Sequence, residues 1–426
     1  MRRSILVTWL ATLAAACSGS GASTTTTTDA RPVTPQVTVA NTTPTTAVAE
    51  TSAAEGPLLI WVSSEEVADA VIARGDAYTA ATGVEVFVLT ILSAPDDEQL
   101  FLDELLAGEF PEPPEGVDLP PTLEELRRLP DLVIGPHTWL AELAEAGLAG
   151  PVALPEGLPA GAVEAVTLRG FTVGVPVAVD TIVQYRNPSL MATAPADVSD
   201  IACADGVACL LLPGDGDADV HYPFLASLGG YVFGADTAHG FATDDVGVAS
   251  PEAITAAAIL QGLIEEGAVA SATDRAESRS RFASGEAALI WDGAAVLPNL
   301  SDAVVEPLPM IGSMPAIGPV RVTAAWINAA GSHTTEAAEF AVEHLASIQG
   351  STAIARALGM APVWSDGASD GERVIITAAG TGAAVPYIPE GVAAWEALAR
   401  AFERIHDGTS AGIALTDAAD EIRFPN

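Results

Sequence analysis

A carboxylate that closes an apolar run has little structural excuse. Asp180 is such a residue, following Gly174-Val175-Pro176-Val177-Ala178-Val179 directly, and an acid so placed is suited to contact a ligand. Other carboxylates are too common to single out: Asp and Glu number 56, so paired acids of the glycosidase kind arise by chance. His numbers 6 and is scattered; His137, just ahead of Trp139, reads as a helix-opening or cleft residue, not a metal ligand. No Gly-x-Ser-x-Gly elbow, His-Glu-x-x-His helix or helix-opening Gly-x-Gly-x-x-Gly loop occurs. All 17 basic residues are Arg, which excludes P-loop and Schiff-base lysines and therefore pyridoxal chemistry. The expectation is a non-enzyme with no cofactor and no metal. Cys203 and Cys209 either close a small disulfide or remain two thiols, and without nearby His they make a poor zinc cage.

The N-terminus carries Arg2 and Arg3, an apolar run from Ile5 to Leu13, and Ala14-Ala15-Ala16 directly before Cys17. This is the plan of a signal peptide over 1–16. The Cys after the cut resembles a bacterial lipobox, whose Cys receives a diacylglyceryl group, although Ala14 stands where Leu is usual. Residues 18–56 are mostly Ser, Thr, Ala, Pro and Val. They cannot bury enough apolar surface to offset ordering entropy, so 17–56 reads as a lipidated Cys and a disordered tether spanning about 35 Å. No later run approaches the roughly 20 apolar residues of a membrane-spanning helix. The expected location is extracytoplasmic, at the outer face of the cell membrane and held there by the lipid. A formal charge of -39 repels nucleic acid and anionic lipid.

These residues must be positioned by regular elements. The apolar run 58–62 reads as a buried strand, and Ser63 with Glu66 fits a capping box opening a helix that stops at Gly83. A strand over 84–89 follows, completing a βαβ unit. Further strands are expected over 132–134, 181–185, 209–212 and 287–291, with helices over 139–146, 222–228, 251–266, 335–347 and 390–404. Residues 108–130 are Pro-rich and acidic, a surface excursion. Repeated strand-helix alternation gives an α/β protein, and its length implies two doubly wound lobes with the ligand in the cleft between them.

Several landmarks occur in a familiar order. They are Leu59-Ile60-Trp61 with Thr82-Gly83-Val84, then Asp131-Leu132-Val133-Ile134-Gly135-Pro136-His137, then Gly174 to Asp180 with Tyr185. Tyr222-Pro223 with Gly229-Gly230-Tyr231, the run from Phe282 to Gly293, and Pro386-Tyr387-Ile388-Pro389 with Trp395 continue the order. From about 57 to 425 the chain resembles the extracellular solute-binding protein family that contains maltose-binding protein. The resemblance implies a periplasmic binding protein-like fold of type II. Its N-lobe would be 57–179 with 323–362 and its C-lobe 180–322 with 363–426, with hinges near 178–181, 320–325 and 360–366. It also implies a monomer that closes on an oligosaccharide of the maltose or maltodextrin type and delivers it to the permease subunits of an ABC transporter.

A pyranose has apolar faces and a hydroxyl rim, so its binder needs flat aromatics and charged side chains. The resemblance places Trp395 where a sugar ring is stacked, and Tyr222 and Trp139 where aromatics lie near the ligand. It places Glu65 and Glu66 on hydroxyls, although the first turn of a helix also suits them. Asp180, Asp217 and Asp219 fall at acidic contacts, and His137 lies beside the first wall. Departures are Gly293-Ala294-Ala295, where a Gly-Pro-Trp platform is usual, and Arg186 after Tyr185. These leave open another sugar or small solute, a surface scaffold or a carbohydrate-active enzyme.

Overall fold

The run Leu58–Val62 is buried throughout, with Leu58, Ile60 and Val62 in one apolar cluster and Leu59 and Trp61 in another, as the period of two in a strand requires. A strand buried on both faces belongs inside a sheet. It lies between Val86–Leu92 and Leu132–Pro136 and runs parallel to both. The protein is described by a computed structural model over residues 6–8, 56–62, 64–92, 106, 128–204, 206–236, 240–300 and 302–424. Cys17, Ser63 and most of 108–130 lie outside the described residues.

Helix Glu65–Thr82 starts at Ser64, whose hydroxyl accepts the Val67 N–H, and stops at Gly83 with a left-handed φ of 81°. The N-cap is therefore one residue later than the sequence suggests, because the strand runs through Val62. Pro319–Ile327 inserts antiparallel between Leu132–Pro136 and Gly174–Asp180, and Ala361–Pro362 closes that edge. Leu6–Thr8, in the expected leader, pairs with the outer edge of Val86–Leu92.

The second sheet has the order Val269–Ala272, Ala208–Pro213, Ala287–Asp292, Val183–Arg186, Val304–Glu306. Its first three strands are parallel and its last two antiparallel to their neighbours. The strand expected over 181–185 begins at Val183 because Thr181 and Ile182 carry the chain from one sheet to the other. A second connection, over 307–318, contains Pro307, Pro309 and Pro315, which cannot donate ladder hydrogen bonds. The stretch 320–325, expected to be a hinge, lies in strand Pro319–Ile327, with 321–325 paired to Gly174–Asp180 and 323–325 also to Leu132–Pro136. After Pro362 the chain forms helix Asp370–Ala379, which packs against strands of both sheets. Helices Pro389–His406 and Ala411–Arg423 then pack on the second lobe. The helix expected over 335–347 is interrupted: Thr334–Glu339 passes into a π-helical turn, Phe340–Leu345, before helix Ile348–Leu358. The helix expected over 222–228 is shorter, Pro223–Ala226, with Pro223 in its first turn, where Pro is favoured, and a separate short helix, Ala218–His221, precedes it.

One apolar cluster packs the outer face of the first sheet under Glu65–Thr82 and Ile348–Leu358, and another packs the second sheet under Pro251–Glu265 and the last two helices. A middle cluster runs from Trp61, Val133 and Trp326 of the first sheet to Tyr185, Leu211 and Ile290 of the second. The architecture is α/β with two lobes in apolar contact near the crossings, and the ligand-sized spaces lie to one side of that seam.

Candidate functional site: the interlobe cleft

Arg321 sits on the first-lobe strand Pro319–Ile327 between buried Val320 and Val322. Asp219 lies on the short second-lobe helix Ala218–His221. Arg321 donates from Nε and Nη2 to the two carboxylate oxygens of Asp219 at 2.7 and 2.9 Å. Trp395 Nε1–H donates to Asp219 Oδ1 at 2.8 Å. The Trp395 ring stacks on Tyr222 with centroids 5.4 Å apart and planes at 25°, and the Arg321 guanidinium lies 6.0 Å from its centroid. Burial by itself would raise the Asp219 carboxyl, but the Arg321 charge and the hydrogen bonds outweigh it and hold the group below the usual range. This planar two-bond pair ties one lobe to the other.

A second set of charges supports it. Asp217 caps helix Ala218–His221 by accepting Val220 N–H at 3.2 Å and faces Arg275 Nε at 3.1 Å. Arg279 holds Asp292 at 2.6 and 2.8 Å. Asp180 accepts Thr181 N–H at 3.0 Å and Ala294 N–H at 2.8 Å, which fastens the first crossing to the turn after Ala287–Asp292. Desolvation nevertheless pushes its carboxyl up to about 7. A Cβ at position 293 would lie 2.3 Å from Asp180 Oδ2, so the contact requires Gly293.

The other expected residues are placed elsewhere. His137 is buried; its Nε2–H donates to Val385 O at 2.9 Å and its Nδ1 accepts Val322 N–H at 3.2 Å. Desolvation lowers it to about 4, so it is neutral, with both ring nitrogens occupied inside the protein. Trp139 belongs to the middle apolar cluster and lies so close over Gly135 that a Cβ there would be 2.1 Å from its ring. Glu65 and Glu66 are exposed in the first turn of their helix, and among the described residues no hydrogen bond joins them to the Asp219 network.

Two spaces open between the lobes. One, of about 580 Å³, is walled by Tyr222, Tyr231, Phe233, Phe241 and Tyr387, with Glu164 and Arg169 at its polar side. The other, of about 560 Å³, is lined by Glu145, Leu168, Asp244 and Glu390 and shares Arg169 and Phe241 with the first. Of the expected site residues, Tyr222 lines these spaces. Phe241 meets Tyr387 edge-on at 5.0 Å, and Tyr387 OH donates to Thr167 O at 3.3 Å. The sequence reading missed Arg321, Arg275, Arg279, Asp292, Arg169 and Phe241. Arg321 had a usable signal, since it interrupts an apolar strand as Asp180 does; the others have none in local pattern.

Among the described residues no group of three or more His, Cys, Asp or Glu could hold a metal ion. Cys203 and Cys209 are joined in a disulfide, which settles the choice left open by the sequence. No described helix is long and apolar enough to cross a membrane.

A solved extracellular solute-binding protein from Staphylococcus aureus in complex with maltose shares the fold with a TM-score of 0.72 at 19% identity, over 86% of this chain and 96% of that one. A cyclo/maltodextrin-binding protein complexed with maltotetraose matches with a TM-score of 0.72 at 21% identity, over 86% and 97%. At these identities the likeness speaks for the fold alone. No curated protein matches the chain in sequence. Residues 73–375 match the sequence profile described as bacterial extracellular solute-binding protein. With that span matched, and with two lobes enclosing ligand-sized spaces, the chain belongs to the bacterial extracellular solute-binding protein family.

Proposed function

We propose that this solute-binding protein takes an oligosaccharide of the maltose or maltodextrin type into the interlobe cleft and hands it to the permease subunits of an ABC importer. The observation that carries the reading is the space of about 580 Å³ walled by Tyr222, Tyr231, Phe233, Phe241 and Tyr387 with Glu164 and Arg169 beside them. Flat apolar faces next to charged hydrogen-bonding groups suit a sugar ring better than a wholly apolar or ionic solute. Solutes of the same class in the maltose and maltotetraose complexes support the choice.

In this reading Tyr222 contacts the sugar directly, while Asp219, Arg321 and Trp395 hold Tyr222 and rearrange as the lobes close. Asp180 and Asp217 act behind that wall through their own networks, while Glu65, Glu66, Trp139 and His137 act away from it, His137 by fixing backbone rather than by touching ligand. The crossings at 181–182 and 307–318 are the pivots. The protein works as a monomer, catalyses no reaction, and is tethered to the outer face of the cell membrane through lipidated Cys17. The Cys203–Cys209 disulfide suits an oxidising extracytoplasmic setting.

Calorimetry and thermal shift with maltose and maltotetraose test the reading. Binding heat and a raised Tm are expected. Flat titrations with both sugars, on protein shown to be folded, would remove the maltodextrin assignment.

A further inference from the structure

The hairpin Thr167–Leu168 with Phe171–Thr172 is closed by a two-residue turn, Arg169-Gly170, with left-handed φ of 52° and 81°. Turns of this hand favour Asn-Gly or Gly-Gly, because a Cβ in that region crowds the following carbonyl. Arg is therefore an unfavourable occupant, and backbone strain of this kind is retained where a side chain must be aimed. What it is aimed at is clear from the cavities: Arg169 lines both interlobe spaces, at the place where Phe241 also faces both.

Acids outnumber bases 56 to 17 in this chain, and most described Arg side chains are paired with one, as Arg186 is with Glu306 and Arg279 with Asp292. Arg169 has no hydrogen-bond or ion-pair partner among the described residues. Glu145, Glu164, Asp244 and Glu390 line the same spaces and are likewise without partners among the described residues. Free donors and free acceptors thus face one groove without satisfying each other. A neutral polyhydroxylated ligand satisfies both kinds. An anionic one would meet these carboxylates with a single guanidinium to offset them.

We propose that Arg169 is the specificity-determining residue of the cleft. Its planar fork donates to adjacent hydroxyls of a sugar unit seated where the two spaces join, and the neighbouring units extend into each. The inference rests on the oligosaccharide reading above and sharpens it: the preferred solute is a chain long enough to occupy both spaces, not a single disaccharide.

The test is calorimetry of the parent protein, Arg169→Gly and Arg169→Lys with maltose, maltotetraose and maltohexaose. Gly suits the left-handed turn, so Arg169→Gly should fold with an unchanged or raised Tm. It should lose about tenfold or more in affinity for maltohexaose, the scale of a lost charged hydrogen bond, and much less for maltose. Arg169→Lys, which keeps the charge but not the fork, should recover only part of the loss. Unchanged affinities in Arg169→Gly would overturn the role of Arg169 and leave the oligosaccharide reading standing. An equal loss for all three sugars would overturn the spanning arrangement. A parent protein that binds none of them would overturn both.

Discussion

At the scale of single residues, the cleft is held by charges whose partners lie far apart in sequence, as Arg321 and Asp219 do. Removing Asp219 leaves the Arg321 guanidinium without its carboxylate, and removing Arg321 leaves Asp219 with the Trp395 N–H but no countercharge in the pair. A double-mutant cycle over Asp219→Asn and Arg321→Ala should give a coupling of about 1–3 kcal/mol by urea denaturation; additive losses would show that the pair carries no energy of its own. Buried titratable groups set the acid response. His137 and His221 are lowered from 6.5 to about 4 and about 3, mainly by desolvation. The unfolded chain therefore takes up protons first as pH falls below 6.5, and each His removes about 3 kcal/mol of stability by pH 4. Asp180, raised from 3.8 to about 7, acts oppositely: the folded protein protonates first, which restores roughly as much between pH 7 and 4. Asp180→Asn abolishes that compensation. Its stability should fall more steeply than the parent's between pH 7 and pH 4, and parallel curves would show that Asp180 does not titrate there.

At the scale of elements, close approach of backbones decides what the site can be. Gly216 adopts a φ of 77° directly before the helix carrying Asp219, and a Cβ there would lie 1.9 Å from Ala399 O of helix Pro389–His406. That contact brings Tyr222 and Trp395 into register. Gly216→Ala should therefore cost more than about 2 kcal/mol, on the scale of a backbone clash in a packed site. It should also change the Trp fluorescence as the stack on Tyr222 opens; retained stability with an unaltered spectrum would place the contact outside the requirements of the fold. The same two helices are also linked by a hydrogen bond of 2.8 Å between His221 Nε2 and His406 Nε2.

At the scale of the whole molecule, two sheets share an apolar seam near the crossings and open towards the aromatic-walled spaces. Closing such a cleft on a solute excludes water and strengthens every hydrogen bond within it. The proposed lipid tether makes its own prediction: Cys17→Ser should move the protein from the membrane fraction to the soluble fraction, and unaltered membrane retention would count against the anchor.

Local pattern carried the fold a long way. The apolar runs at Leu58–Val62 and Ala287–Asp292 and the helix Pro251–Glu265 are where the sequence pattern places them, because burial acts over a few neighbouring residues. Asp180 announced itself in the same way, as a charge in an apolar strand, and Tyr222 through the order of landmarks. The function of His137 and Trp139 could not be read so, since nothing local distinguishes a cleft residue from one sealed under Val385 or over Gly135. Composition and pattern by themselves determined an α/β chain without lysine chemistry, and the order of landmarks pointed to its family. Which acids are paired, which aromatics line the interlobe spaces and where Arg169 lies were decided only by tertiary packing, because ion pairs and cavity walls join residues that the chain holds far apart.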